Sequence, residues 1–206
     1  ARLRDCRPAF IMVGSSMTYW YLGVKEVVCL CRKRFPDVPI VVGGIYATLC
    51  PEHCRRVIAP DYTIAGEAYP GLIPLLRQLR LPVPEGPPAE QPLILPSVLQ
   101  GAAVLRLNRG CPFDCHYCAS RYLNKEFSPG EPKLLFTLLR QLYAEYHISN
   151  FASLDDALLV NKESGLIPLL RQIIDRGIKA SFYLPNAVHI NYLDPLTAVL
   201  LKRAGF

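Results

Sequence analysis

Short apolar runs, most of them closed by glycine or an acid, alternate along this chain with longer stretches of helical spacing. Ala9 to Val13 is apolar throughout and ends at Gly14-Ser15-Ser16, which predicts a buried strand. Val24 to Arg34 has the apolar spacing of a helix and stops at Phe35-Pro36. Pro39 to Val42 is a second apolar strand, closed by Gly43-Gly44, and Pro51 suits the first turn of a helix running to about Val57. Tyr62 to Ala65 predicts a short strand ending at Gly66-Glu67, with a helix over Leu72 to Leu79. Further on, Val104 to Asn108 predicts a strand, Lys133 to Tyr146 a helix, and Phe151 to Leu154 a strand ending at Asp155-Asp156. A helix over Ser164 to Arg176 stops at Gly177, a strand follows over Lys179 to Leu184, and a helix over Pro195 to Arg203. Strands apolar on both faces, alternating with helices, imply parallel sheets covered on both sides.

Between these two α/β stretches lies a proline-rich connector, with Pro82, Pro84, Pro87, Pro88, Pro92 and Pro96 between Leu81 and Gly101. Neither a helix nor a central strand tolerates that density, so residues 81–101 are expected to form a stiff linker. It separates a first domain, 1–80, from a second, 102–206, built of three successive β-α units. Hydrophobic residues make up 51% of the 206 and charged residues 19%, enough for a packed core in each. No apolar run is long enough to span a bilayer, and the N-terminus lacks the apolar stretch of a secretory signal. A cytoplasmic location is expected. The absent initiator Met suggests a start inside a longer chain. The net charge is +6, but its one tight group, Arg32-Lys33-Arg34, suits the last turn of a helix better than a nucleic-acid stripe.

Eight cysteines without a secretory signal point to metal binding in a reducing compartment rather than to disulfides. Cys6, Cys29 and Cys31 lie in apolar segments and are expected to be small buried hydrophobes. Three others crowd into Gly110-Cys111-Pro112-Phe113-Asp114-Cys115-His116-Tyr117-Cys118, directly after a strand. A thiolate cluster wants soft sulfur ligands on one short, turn-rich loop. Three ligands leave one iron of a 4Fe-4S cubane open to a small molecule. A structural zinc site needs a fourth ligand, which a distant Cys or His could supply.

The run from Arg109 to Cys118 resembles the cluster loop of radical S-adenosylmethionine (SAM) enzymes, specifically those with an N-terminal cobalamin-binding-like domain. The resemblance implies a 4Fe-4S cluster on Cys111, Cys115 and Cys118, with SAM on the open iron. Reduction then splits SAM to methionine and a 5′-deoxyadenosyl radical that takes hydrogen from a substrate, with an electron donor such as a flavodoxin or ferredoxin. It places Tyr117 near the adenine and the end of the second strand near the SAM amino group. The family's Gly-Gly-Glu is absent there, and Asp155 and Asp156 stand in its place; they could hold an ammonium electrostatically or cap a turn. Asn186 matches a SAM-contacting position, or serves a plain turn.

In the first domain, Val41 to Thr48 with Pro51-Glu52, Asp61 and Gly66-Glu67 resembles the later strands of a cobalamin-binding domain. Gly43, Gly44, Gly66 and Glu67 are the implied cobalamin contacts, although Gly43-Gly44 also suits a tight turn. The family's Asp-x-His-x-x-Gly signature is missing, so a bound cobalamin lacks a histidine ligand, or the domain binds none. Ser16 to Tyr21 is dense in aromatics and forms either a cofactor wall or a packed turn. Cys50-Pro51-Glu52-His53-Cys54 is expected to pack rather than to hold metal.

The fold expected is α/β: a Rossmann-like, cobalamin-binding-like parallel sheet, then part of a radical SAM TIM-type (β/α) barrel. The function expected is that of a radical SAM enzyme or a fragment of one, with cobalamin as a further cofactor, acting on an unidentified substrate. The alternative is a non-catalytic metal-binding or iron-sulfur sensor module using the same cysteines. With half a barrel, the strand over Lys179 to Leu184 is expected to be an open edge with Phe182 and Leu184 uncovered. Self-association through that edge and poor turnover of SAM follow.

Overall fold

In a computed structural model of the chain, residues 7–86, 101–124, 126–186 and 188–206 are described. Cys6 and the prolines from Pro87 to Pro96 lie outside them. The chain folds as two compact units, Ala1–Glu90 and Gln91–Phe206.

The first unit carries a parallel sheet of β1 (Ile11–Ser15), β2 (Ile40–Gly44) and β3 (Tyr62–Thr63), in that order. β2 is the centre and is buried on both faces. Ile40 and Val42 pack with Val24 and Val28 of α1 (Tyr21–Arg34), while Val41 faces Ile64 and Leu75 of α4 (Ala68–Gln78) on the other side. That two-sided burial is what the unbroken apolar run predicts. Gly44 leads into a short helix, α2 (Ile45–Leu49). The helix begun at Pro51 is regular only over α3 (Pro51–His53) and widens into one π turn, Cys54–Ile58. The basic end of α1 is tied down: Arg32 donates to both carboxylate oxygens of Asp61, at 3.0 Å and 3.0 Å. Cys29 is exposed rather than buried, because the core-facing side of α1 is made by Val24 and Val28, with Tyr21 and Cys31 partly buried beside them.

The second unit carries a parallel sheet in the order β4 (Ala102–Leu105), β7 (Asn150–Ser153), β8 (Ser181–Tyr183). Helices α6 (Pro132–Glu145), α7 (Leu166–Asp175) and α8 (Pro195–Ala204) contribute Leu139, Leu170, Ile173 and Leu200 to the core under Leu105, Phe151 and Phe182. This sheet departs from the expected two-sided cover. Ala102 and Val104 are exposed while Ala103 and Leu105 are buried, so within this unit the described helices cover one face. The open face is where the interior of a barrel lies in a (β/α) fold.

The expected strand over Val104 to Asn108 is broken in two. β4 ends at Leu105, and β5 (Asn108–Arg109) pairs antiparallel with β6 (Ser128–Pro129). The edge expected at β8 is also partly satisfied. Phe182 N–H donates to the Gly205 carbonyl at 2.9 Å. Its ring, 7% exposed, stacks between Phe151 (5.4 Å) and Phe206 (4.8 Å), and Leu184 packs on the core. Phe182 is therefore covered by the chain's own last residues.

Candidate cofactor site

The cysteine loop leaves β5 at Gly110 and returns through β6. Gly110 has φ +74°, and a Cβ there would lie 2.4 Å from the Glu126 carbonyl oxygen. A Cβ at Gly130 would lie 1.9 Å from the Leu107 carbonyl oxygen. Both clashes are with backbone, so the two positions take glycine and pinch the segment into a closed loop. Inside it, Cys118 N–H donates to the Cys115 carbonyl at 3.0 Å, and α5 (Ser120–Leu123) begins two residues later. Asp114 pairs with Arg121, whose guanidinium lies 4.8 Å from the Tyr122 ring centroid.

Cys111, Cys115 and Cys118 are free and half-buried on this loop. The Ser120 N–H approaches the Cys118 sulfur at 3.5 Å. Burial pushes the Cys111 thiol up; the Phe113 N–H opposes that, and negative charge at Asp156, Cys118 and Cys115 adds to it. Among the described residues, no three His, Cys, Asp or Glu side chains stand grouped to hold an ion. The donor set is nevertheless the soft, three-sulfur kind that suits iron-sulfur chemistry. At the mouth of the loop, Asn108 is 2% exposed and neither its Nδ2 nor its Oδ1 has a partner among the described residues. A buried amide in that state needs a water or a bound group.

The two adjacent carboxylates after β7 do different things. Asp155, 3% exposed, continues the inward parity of Phe151. Its oxygens accept from Leu107 N–H at 3.0 Å, Asn108 N–H at 2.5 Å and Ser153 Oγ at 2.7 Å. These bonds hold the backbone between β4 and β5, where the sheet strand gives way to the loop. Burial nonetheless raises its carboxyl above the usual range, against those bonds and the Arg106 charge. Asp156 is half-buried, accepts from Asn124 Nδ2 at 3.5 Å, and lies near enough to Cys111 to perturb it. Asn124 Oδ1 in turn accepts from Arg109 Nε at 3.4 Å. Asn186 Nδ2 donates to the Asp155 carbonyl at 3.2 Å. Tyr117 is 93% exposed, its hydroxyl pushed up by the neighbouring Cys115. The structure therefore brings Asp156 to the cysteine loop, turns Asp155 into the core, and leaves Tyr117 in solvent.

In the first unit, Gly44 (φ +95°) is required by β1: a Cβ there would lie 2.7 Å from the Ser15 carbonyl oxygen. At Gly43 a Cβ makes ordinary contact with Ile64, and at Gly66 (φ +83°) it meets nothing within 4 Å. Thr48 Oγ1 joins the strand ends, donating to the Gly44 carbonyl at 2.7 Å and accepting from Gly66 N–H at 2.9 Å. Glu67 sits exposed at the start of α4. Tyr19 and Trp20 are exposed beyond β1, edge to face at 5.8 Å. His53 is taken up by packing: its Nδ1 is 2.7 Å from the hydroxyl of buried Tyr46.

Sequence reasoning gave no role to Asn108, Asn124 or Thr48, and none to Phe113 as a packing residue. Asn108 shares the parity of exposed Arg106, so a buried amide was not signalled by alternation.

No family model and no curated protein matches the chain. Its fold is similar to that of TsrM, a radical S-adenosylmethionine methyltransferase from Kitasatospora setae. One structure of that protein has tryptophan substrate and the SAM analogue aza-SAM bound, and matches at TM-score 0.71 and 15% identity over 99% of this chain and 48% of that one. Another, with cobalamin and a [4Fe-4S] cluster bound, matches at 0.68 and 14% over 98% and 47%. The chain spans about half the length of these neighbours. At such identities the likeness shows the fold: a Rossmann-like sheet followed by an open, radical SAM-like α/β sheet, with no closed barrel among the described residues. No helix among those residues is long and apolar enough to cross a membrane.

Proposed function

We propose that this chain is part of a radical SAM enzyme that holds a 4Fe-4S cluster on Cys111, Cys115 and Cys118 and acts on SAM. The observation that carries the reading is the glycine-pinched three-thiol loop at the exit of the first strand of a radical SAM-like sheet. A cluster on those thiols supplies one-electron reduction and an open iron for the amino and carboxylate groups of SAM. The chain's own residues do the rest. The Ser120 N–H steadies the Cys118 thiolate, and Asp155 fixes the strand that presents the loop. Asp156, held by Asn124, offers a carboxylate beside the loop to accept from an N–H of the SAM amino group, and Asn186 stands close by on the third strand's exit. Exposed Tyr117 is free to close over an adenine ring. The first unit's strand ends at Gly43, Gly44, Gly66 and Glu67, with Thr48 across them, form the rim proposed for a cobalamin without a histidine ligand.

Two SAM chemistries divide the reading. Reductive cleavage gives 5′-deoxyadenosine, whereas methyl transfer, which the neighbours' description as methyltransferases favours, gives S-adenosylhomocysteine. Anaerobically reconstituted protein is tested for SAM binding by the change in the electron paramagnetic resonance (EPR) signal of the reduced cluster, and for product by chromatography. Asp156→Asn is expected to weaken SAM at least about 10-fold, the loss of one charge-assisted contact of roughly 1.5–3 kcal/mol. A reduced cluster whose spectrum ignores SAM would refute the SAM reading and leave a metal-binding module.

A further inference from the structure

We infer that the connection between β8 and α8 is part of the cysteine site, and that Phe113 is the positioning residue through which it sets the loop. The inference rests on the cluster reading above for its purpose, but its geometry stands without a cluster. Phe113 lies on the loop between the first two cysteines, two residues from Cys111 and two from Cys115. Its ring lies 4.3 Å from that of His189 and 5.6 Å from that of Tyr192, tilted by 50° and 55°. Both partners belong to the β8–α8 connection, more than seventy residues further along the chain.

That connection is itself anchored. Asn186 donates to the Asp155 carbonyl at 3.2 Å. Lys162 Nζ donates to the Tyr192 carbonyl at 2.5 Å and pairs with the Asp194 carboxylate. Asp194 also caps α8 through Thr197 N–H at 2.8 Å. The aromatic pair on which Phe113 rests is therefore held to the exit of β7 on one side and to a helix start on the other. The antiparallel ladder and its glycines fix the base of the loop, but the ladder does not extend to the stretch between Cys111 and Cys115. The ring contact does. Because Phe113 lies two residues from Cys111 and two from Cys115, displacing its ring shifts the backbone between two of the thiols and opens half-buried Cys111 to solvent. Hydrogen bonds to sulfur and solvent exposure are the levers that set the potential and lability of thiolate clusters.

The test has two independent readouts. In the metal-free protein, Phe113→Ala is expected to raise the alkylation rate of half-buried Cys111 roughly 10-fold, with Phe113→Tyr near the parent rate. After anaerobic reconstitution, Phe113→Ala is expected to keep the parent's iron and sulfide content but bleach in air roughly 10-fold faster, with an altered EPR spectrum and midpoint potential. His189→Ala, on a separate element, should move both readouts the same way, and it carries the test if Phe113→Ala fails to fold. Alkylation, bleaching and potential all unchanged in the folded variants would overturn the inference. A parent protein that takes up no iron sinks the cluster reading alone, while the alkylation rates still decide the clamp.

Discussion

Replacing Asp155 by Ala should be far more damaging to stability than replacing its neighbour Asp156. Asp155 accepts two backbone N–H groups, Leu107 at 3.0 Å and Asn108 at 2.5 Å, in a place that water does not reach. Truncation leaves both donors buried and unpaired, while the Ser153 hydroxyl can turn elsewhere. At roughly 1–3 kcal/mol for each orphaned donor, the loss is about 2–6 kcal/mol. Asn at 155 keeps one oxygen acceptor and presents an NH2 group to the other N–H, so about half that loss is expected. Asp156→Ala removes one long bond from a half-buried side chain and should cost under about 1 kcal/mol. Urea unfolding followed by circular dichroism measures all three. The pH dependence has a definite sign. Burial raises the Asp155 carboxyl above its ordinary 3.8, so the folded state binds the proton more tightly than the unfolded chain. Stability from this group is fully present below that value and falls as pH rises through the folded one. Asp155→Asn lacks that slope, so the wild-type advantage should shrink as pH rises across the window. An Asp155→Ala protein within about 1 kcal/mol of wild type would refute the view that this carboxylate pins the exit of β4.

Further expectations concern the same framework. Gly130→Ala, with its Cβ driven to 1.9 Å from a carbonyl, should disrupt the β5–β6 ladder, whereas Gly177→Ala, in open space at φ +62°, should cost only about 1 kcal/mol; thermal melts compare them. The Asp194 carboxyl is held down to about 2, first by Lys162 and then by the Thr197 N–H. Its stabilising share is present above 3.8 and is lost as pH falls towards 2, and Lys162→Met should return its titration, followed by NMR, towards the ordinary value.

Much of this fold was legible because burial and spacing coincide. Ile40-Val41-Val42 is apolar without a break, and β2 is buried on both faces. Leu135, Leu139 and Leu142 recur at helical spacing and line one side of α6. The cysteine spacing marked its loop because three thiols in eight residues have few other uses. What escaped depends on backbone geometry that side-chain patterns do not carry. Ser128-Pro129 has no strand pattern, and its two-residue pairing with Asn108-Arg109 exists because Gly110 and Gly130 allow backbones to touch. The divergence of Asp155 and Asp156 was in principle readable, since residues 151, 153 and 155 share one side of an alternating strand. Two acids in a row at a strand end instead looked like a matched pair. The cover over Phe182 comes from Gly205 and Phe206, a tertiary interaction that no local pattern announces.

The central claim is that Cys111, Cys115 and Cys118 together hold an iron-sulfur cluster, and Mössbauer spectroscopy of 57Fe-reconstituted protein with parallel iron and sulfide assays tests it most directly. The expected result is about four irons and four sulfides per chain in a cubane spectrum, lost in the Cys115→Ala, Cys118→Ala double variant. One tightly bound zinc with no iron uptake, or an intact cubane in the double variant, would contradict it.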